Sequence, residues 1–228
     1  MPQPDFSRPI LAVDTGTAYL SLALQADGQL YAEHLEAGNR QSEQILPRIA
    51  GLLAQAGIGA ADLGTLVYAQ GPGAFTGLRI GAGVAQGLAA PFDLPLIGIP
   101  SLDAAAALCP GRPAVLAATD ARMDEVFYAW YDTENGQRHS PYQVGPAHGI
   151  RLPESLNGRE VCGIGNAFAL AEPPPFPGRS EMPTAADFLR LALSGRYPAV
   201  AAAEAELLYV RDKVALTAKE QAERRAAK

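Results

Sequence analysis

The chain has 228 residues, 48% of them hydrophobic, which is enough for one large core or two smaller lobes. Its 24 acidic and 18 basic residues leave a net charge of −6, so we expect no strong binding of nucleic acid by this chain alone. Two cysteines make no disulfide framework, no apolar run approaches the roughly 20 residues of a membrane helix, and no signal peptide precedes Ile10. These features predict a cytoplasmic globular protein that makes no membrane contact.

The first hundred residues predict three strands, a helix, a strand, a second helix and a strand. The first apolar run ends at Asp14, and the hairpin signal Asp27-Gly28 joins the next two strands. Apolar residues at helical spacing predict a helix over 41–56. This order indicates an α/β fold in which an antiparallel group is continued by parallel crossovers.

The second half of the chain begins like the first. An apolar strand ends at Asp120, a tight turn follows, and a second strand comes next. We interpret this as one strand–turn–strand unit that occurs twice, and we predict two lobes of related topology over residues 1–100 and 101–216. A frayed, charged tail is expected over 217–228, and residues 198–203 fit no pattern.

The predicted helix after residue 74 carries four glycines, Gly77, Gly81, Gly83 and Gly87. Each interior glycine costs roughly 1 kcal/mol of helix propensity relative to alanine. Because they form two pairs with a spacing of four residues, each pair leaves a ridge on which another backbone can pack. The helix is apolar nearly all round, which predicts burial by its own domain, by a second chain or by both.

The turn before this helix is a candidate anion site. Gly71-Pro72-Gly73 follows a strand and precedes a helix, so its N–H groups would lie at the positive end of the helix. The motif is neither a Walker A loop nor a dinucleotide loop, because no Gly-Lys-Ser/Thr follows and Thr76 replaces the third glycine. A packing turn without a ligand and a contact to phosphate or carbamoyl phosphate therefore both remain open.

Two aspartates, Asp14 and Asp120, each close a predicted buried strand. They could approach one another across a cleft and hold a cation beside a polyphosphate, or they could simply cap turns. We favour a nucleotide-facing role for Asp14 and a cap for Asp120. The predicted nucleotide or phosphate contacts are Asp14, Thr15, Gly16, Gly71, Gly73, Asp120, Gly163 and Gly165.

The sequence predicts no catalytic residue and no metal ligand. The three histidines form no H-x-x-x-H pair, and no G-x-S-x-G elbow is present. Neither Cys109 nor Cys162 has a histidine nearby in sequence, so we interpret both as small buried hydrophobic residues.

Three stretches closely resemble the bacterial TsaB (YeaZ) family: I-L-A-V-D-T-G-T-A at 10–18, G-P-G-A-F-T-G-L-R-I-G-A-G-V-A-Q-G-L-A at 71–89 and D-A-R-M-D-E-V-F-Y-A at 120–129. The resemblance spans most of the chain. It implies a two-lobed, actin-like and Hsp70-like ATPase fold, with a ribonuclease H-like mixed sheet flanked by helices in each lobe. It also implies a role in forming N6-threonylcarbamoyladenosine at adenosine 37 of tRNA, where TsaD transfers the threonylcarbamoyl group and the ATPase TsaE completes the complex.

The resemblance implies a non-catalytic paralogue of TsaD. TsaD carries an H-x-x-x-H metal motif after the glycine region, and the two corresponding positions here are Ser101 and Ala105, which cannot bind a metal as histidine does. This argues against the zinc peptidase that the old family label, glycoprotease, implies. Many relatives have a histidine where this chain has Gln41, so no role of that histidine transfers.

A stand-alone nucleotide-dependent kinase or hydrolase of the same superfold is the alternative function. Such an enzyme needs a second phosphate loop of the form Asp-x-Gly, but Asp120-Ala121-Arg122 lacks the glycine. We therefore rank the scaffold subunit first. The sequence leaves open whether ATP or ADP binds this chain or an interface of the complex.

From the resemblance and the apolar helices we predict a docking face for TsaD over 41–56 and 77–89, used by a second copy of the chain when TsaD is absent. TsaE would be a further member of the complex with TsaD, and this chain would contact tRNA only through that complex. The predicted interface residues are Ile45, Ile49, Leu52, Leu53, Gly77, Ile80, Gly81, Gly83, Val84, Gly87 and Leu88.

Overall fold

A computed structural model describes residues 2–211, and two mixed sheets form its framework. The strands of the first sheet are β1 (Ile10–Asp14), β2 (Tyr19–Ala26), β3 (Gln29–Glu36), β4 (Thr65–Gly71), β5 (Leu96–Pro100) and β12 (Ala199–Val200). Their order in the sheet is β12-β5-β4-β1-β2-β3.

The pairing in the first sheet confirms the predicted order of elements. β1, β2 and β3 pair antiparallel, whereas β1, β4 and β5 pair parallel. The strand β1 is buried along its whole length, as its continuous apolar run predicts for a central strand. β12 pairs antiparallel with β5 and accounts for part of the segment 198–203 that no sequence pattern assigned.

Helices cover both faces of the first sheet. α1 (Gln41–Gln55) and α2 (Phe75–Ala89) share a core cluster with Leu11 and Val13 of β1. α4 (Ala185–Ala192) shares a second cluster with Ile10 and Ala12. Because side chains alternate between the two faces of a strand, α4 lies on the face opposite to α1 and α2.

The strands of the second sheet are β6 (Ala114–Arg122), β7 (Glu125–Asp132), β8 (Gln137–Arg138), β9 (Gln143–Gly145), β10 (Val161–Ile164) and β11 (Gly178–Arg179). Their order is β11-β10-β6-β7-β8, with β9 also paired to β7. The helix α3 (Ser101–Ala106) packs on one face of this sheet, and short turns over 147–167 fill the other. The predicted α/β class, with two mixed sheets flanked by helices, is confirmed.

The last described part of the chain returns to the first lobe. α4 and β12 both belong to the first sheet, the Tyr68 hydroxyl donates to the carbonyl of Glu206 (2.9 Å), and the Leu208 N–H donates to the carbonyl of Gln70 (2.8 Å). The predicted range of 101–216 for the second lobe therefore differs from the packing, in which the segment 184–208 lies on the first lobe. Residues 212–216 and the predicted tail 217–228 lie outside the described residues.

Within residues 2–211, none of the helices combines the length and the apolar character that crossing a membrane requires.

Candidate functional site

A cleft of about 670 Å³ lies between the two lobes. The turn after β1, the glycine turn after β4, the turn between β6 and β7, and the segment 208–211 all line it. Asp14 and Asp120 both lie in its wall, so the structure brings the two aspartates to one cavity. Asp14 is the last residue of β1, whereas β6 continues past the predicted end at Asp120 to Arg122, and both strands are central in their sheets.

Asp14 is almost fully buried, with 7% of its surface exposed. Its Oδ1 accepts a hydrogen bond from the N–H of Gly16 (2.8 Å), but burial dominates and raises its pKa to about 6. The carboxyl therefore loses its proton less readily than an ordinary aspartate. A negative charge at this point is stabilised less by the protein than it would be by water.

The glycine turn packs against the β1–β2 turn. The Ala74 N–H donates to the carbonyl of Gly16 (2.8 Å), and a Cβ on Gly73 would lie 2.6 Å from that oxygen. A Cβ on Gly71 would lie 2.8 Å from the carbonyl oxygen of Leu208. These contacts support the packing interpretation of the turn. A phosphate contact by Gly71 or Gly73 stays a prediction.

The β1–β2 turn also packs against the first half of α2. The Thr15 hydroxyl donates to the carbonyl of Gly77 (2.7 Å), and a Cβ on Gly77 would overlap the carbonyl oxygen of Thr15. A Cβ on Gly81 would overlap the Thr15 hydroxyl. Gln41 holds this turn from the other side, because its Nε2 donates to the carbonyls of Thr17 and Tyr19 (2.8 Å each).

Two predicted phosphate contacts, Gly163 and Gly165, are not among the described residues that line the cleft. A Cβ on Gly163 would overlap the ring of Phe168, and one on Gly165 would overlap the carbonyl oxygen of Ala118. Gly165 also has a φ of +118°, which favours glycine. Tight packing around β10 therefore explains both glycines.

The β6–β7 turn has an unusual backbone. Arg122, Met123 and Asp124 have φ values of +62°, +57° and +60°, which are uncommon for residues other than glycine. The Arg122 N–H donates to Oδ1 of Asp120 (2.7 Å), and the two side chains form an ion pair at 3.5 Å. These bonds fit the cap that we favoured for Asp120.

Sequence reasoning missed several residues of the cleft wall. The Thr119 Oγ1 is buried and has no hydrogen-bond partner among the described residues. Tyr209 and Arg211 reach the cleft from the end of the described chain, where Arg211 forms an ion pair with Glu125 of the second lobe. The position of Thr119 directly before Asp120, the predicted end of the strand, was the available signal.

No cluster of three or more His, Cys, Asp or Glu side chains that could hold a metal ion occurs within 2–211. The two positions that correspond to the histidines of the TsaD metal motif, Ser101 and Ala105, have different surroundings. Ala105 is fully buried in the core of the second lobe, and Ser101 lines the cleft.

The predicted interface residues fall into two groups. Ile45, Ile49, Leu52 and Leu53 are buried in the chain's own core, and Gly77 and Gly81 are buried against the β1–β2 turn. These six are a correction to the predicted surface, because burial within the chain leaves them no contact area for a partner. The other five residues form one side of α2, which we call the outer face: Ile80, Gly83, Val84, Gly87 and Leu88.

The outer face combines open space with apolar surface. A Cβ on Gly83 or Gly87 would meet nothing within 4 Å, while Ile80, Val84 and Leu88 are half-buried. A groove of about 410 Å³ runs along Gly83 between α2 and the segment 205–209.

Two large apolar residues that the prediction omitted are also exposed, Leu46 by 53% and Phe92 by 45%. Leu46 lies three residues before Ile49 and seven before Leu53, so helical spacing alone places it beside the buried residues of α1 and gave no signal of its exposure.

The family model described as TsaD, tRNA N6-adenosine threonylcarbamoyltransferase, matches residues 35–171. The tRNA threonylcarbamoyladenosine biosynthesis protein TsaB of Escherichia coli is 43% identical over 134 residues, which cover 57% of this chain and 58% of that protein. The TsaB protein of Haemophilus influenzae is 42% identical over 123 residues, with 53% of this chain and 52% of that protein covered. The chain thus spans between about half and three fifths of the length of these curated relatives.

A solved structure, YeaZ from Pseudomonas aeruginosa, matches with a TM-score of 0.79 and 30% sequence identity. The match covers 89% of this chain and 99% of that one. A second structure from the same organism, with similarity to the peptidase YeaZ, gives the same TM-score at 31% identity and covers 90% of this chain and 100% of that one. With the cleft, the glycine helix and these matches together, the chain belongs to the TsaB (YeaZ) branch of the TsaD-like family.

Proposed function

We propose that this chain is a non-catalytic subunit in tRNA threonylcarbamoyladenosine biosynthesis, which docks a TsaD protein through the outer face of α2 and activates it. The names of the curated relatives support the pathway. The observation that carries the docking is the open, glycine-containing outer face on a helix whose other side is buried.

The exposed glycines are unfavourable for the isolated chain. Each costs roughly 1 kcal/mol of helix stability relative to alanine, and the described chain makes no contact that uses the space beside Gly83 or Gly87. A ridge without side chains lets a second helix approach more closely than the usual 8–10 Å between axes. The space therefore suits a helix that belongs to another protein.

The apolar residues around the outer glycines also suit a helix of another protein. Ile80, Val84 and Leu88 flank the glycines, and Leu46 and Phe92 add exposed apolar surface on the same lobe. TsaD resembles this chain through the same glycine region, so related helices would pack against one another in a four-helix interface. A second copy of the chain would use the same face when TsaD is absent.

The rest of the proposed complex follows from the charge of the chain and from what the resemblance to the TsaB family implies. With a net charge of −6, this chain leaves tRNA contacts to its partners. TsaE completes the complex, ATP or ADP binds at an interface within it, and the work on tRNA places the chain in the cytoplasm.

The test is a reconstituted transfer assay with TsaD, TsaE, threonylcarbamoyl-adenylate and unmodified tRNA. We expect modified adenosine only when this chain and TsaD are both present. Gly87→Leu should lower the rate at least tenfold, because the new side chain fills the ridge. The matched control is Gly145→Leu, since a Cβ at Gly145 on β9 also meets nothing within 4 Å. Equal rates with and without the chain would contradict the proposal.

A second function, the stand-alone nucleotide-dependent kinase or hydrolase, has the interlobe cleft with Asp14 and the unpartnered Thr119 hydroxyl in its favour. It predicts that the purified chain turns over ATP with a small-molecule acceptor and that Asp14→Asn abolishes the turnover. The scaffold proposal predicts no turnover by the chain alone.

A further inference from the structure

Two cysteines of the second lobe lie side by side. Cys109 is in the turn after α3, Cys162 is on β10, and their Sγ atoms are 2.9 Å apart. Both are free thiols. The separation is about 0.9 Å longer than the S–S bond of a disulfide. Neither residue lines the interlobe cleft or the outer face of α2.

The two thiols have different surroundings. Cys109 is only 3% exposed and packs in the core cluster of α3 and β6. Burial raises the pKa of Cys109 to about 12, so this thiol keeps its proton. Cys162 is half-buried and lines a surface hollow of about 200 Å³. Two arginines line the same hollow, and both are ion-paired: Arg112 with Glu160 at 3.8 Å and Arg179 with Glu181 at 2.7 Å. One thiol therefore borders an open hollow, and the other lies in the core behind it.

We propose that Cys109 and Cys162 form an intramolecular disulfide when the protein meets a hydroperoxide. Oxidation-sensitive cysteines are accessible, as Cys162 is at the surface hollow, and a nearby second thiol resolves the first product. The arrangement assigns Cys162 as the thiol that reacts first with the oxidant and Cys109 as the resolving thiol.

The chemistry balances with hydrogen peroxide as the oxidant. The Cys162 thiol loses its proton, its sulfur attacks one peroxide oxygen, and the O–O bond breaks to give a sulfenic acid and hydroxide, which takes up the proton as water. The Cys109 sulfur then attacks the Cys162 sulfur, the S–O bond breaks, and the Cys109 proton leaves with the hydroxide as a second water. Two thiols are oxidised and one peroxide is reduced to two waters.

The local structure holds the pair in place. The Thr133 hydroxyl donates to the carbonyl of Cys109 (2.5 Å), and Nη2 of Arg179 donates to the carbonyl of Leu108 (2.7 Å). These bonds tie the turn after α3 to the turn after β7 and to β11. A disulfide would restrict the unfolded chain by closing the segment 109–162, so the oxidised protein should unfold at a higher temperature.

The test uses the full-length chain treated with hydrogen peroxide and analysed without reductant. We expect the free thiols to fall from two to none, the intact mass to fall by two hydrogen atoms, and peptide mapping to join Cys109 to Cys162. Dithiothreitol should restore both thiols, and the melting temperature should be higher in the oxidised form. The proposal would be overturned if both free thiols persisted after peroxide treatment, or if disulfides formed only between chains.

Two variants test the order of attack. After peroxide, Cys109→Ser should leave Cys162 as a sulfenic acid that dimedone labels, whereas Cys162→Ser should leave Cys109 unlabelled. Equal labelling of the two variants would overturn the assigned roles. The thiol count of the unmodified chain tests the disulfide itself even where a serine variant fails to fold.

Discussion

The two glycine pairs of α2 have the same spacing and opposite surroundings. A Cβ on Gly77 or Gly81 would overlap atoms of Thr15, whereas a Cβ on Gly83 or Gly87 would meet nothing within 4 Å. The inner pair, Gly77 and Gly81, is therefore required by the chain's own fold. The outer pair, Gly83 and Gly87, lowers helix stability without a compensating contact in the described chain, and this difference points to a partner.

The largest expected effect is at the inner pair. Gly77→Ala should lower the free energy of unfolding by about 3 kcal/mol, because the new methyl group overlaps the Thr15 carbonyl and disturbs the Thr15 hydroxyl bond to residue 77. Urea denaturation measures this change. An alanine tolerated without loss would mean that the inner pair is no more constrained than the outer one.

At the outer pair we expect a larger side chain to affect association of the chain rather than its folding. Gly83→Leu should weaken self-association of the chain by about thirtyfold, or roughly 2 kcal/mol, because the side chain fills the ridge between the docking helices. Sedimentation at several concentrations measures the dissociation constant. Gly145→Leu on the other lobe is the control, and an equal loss in both variants would remove the distinction between the two surfaces.

Asp14 directly precedes Thr15, the residue that the inner pair contacts, and it makes the free energy of unfolding depend on pH. Its pKa is raised from 3.8 to about 6, so between these values the folded chain binds more protons than the unfolded chain and loses stability as pH rises. Asp14→Asn keeps an oxygen for the Gly16 N–H and should raise the free energy of unfolding by about 2 kcal/mol near pH 7.5. The gain should vanish near pH 4, and an equal gain at both pH values would exclude the carboxyl as its cause.

The smallest effect is a gain in stability at the outer pair. Gly87→Ala should raise the free energy of unfolding by about 1 kcal/mol, since alanine favours the helix and the methyl group enters open space. Thermal denaturation of the monomer measures it. A destabilised Gly87→Ala variant would show that the outer pair also serves the fold.

Much of the fold was predictable from local patterns. The continuous apolar run of β1, the Asp27-Gly28 turn and the helical spacing of α1 each specify one element, and all three were predicted correctly. β12 was not, because two residues are too few to show a period.

The candidate site was less predictable, because its residues depend on contacts between distant parts of the chain. A helix that is apolar nearly all round has no preferred direction, so the sequence could not say which glycine pair faces inward. Gly163 looked like a ligand contact because a glycine needed for a ligand and one needed beside Phe168 look alike in sequence. Cys109 and Cys162 are 53 positions apart, and no local pattern predicts their contact.

The most direct test of the account is a calorimetric titration of TsaD into the wild-type chain, Gly87→Leu and Gly145→Leu. The account predicts wild-type affinity for Gly145→Leu and binding at least tenfold weaker for Gly87→Leu, with both variants unfolding at or above the wild-type temperature. Wild-type affinity of a folded Gly87→Leu variant would contradict the claim that the outer face of α2 is the docking surface.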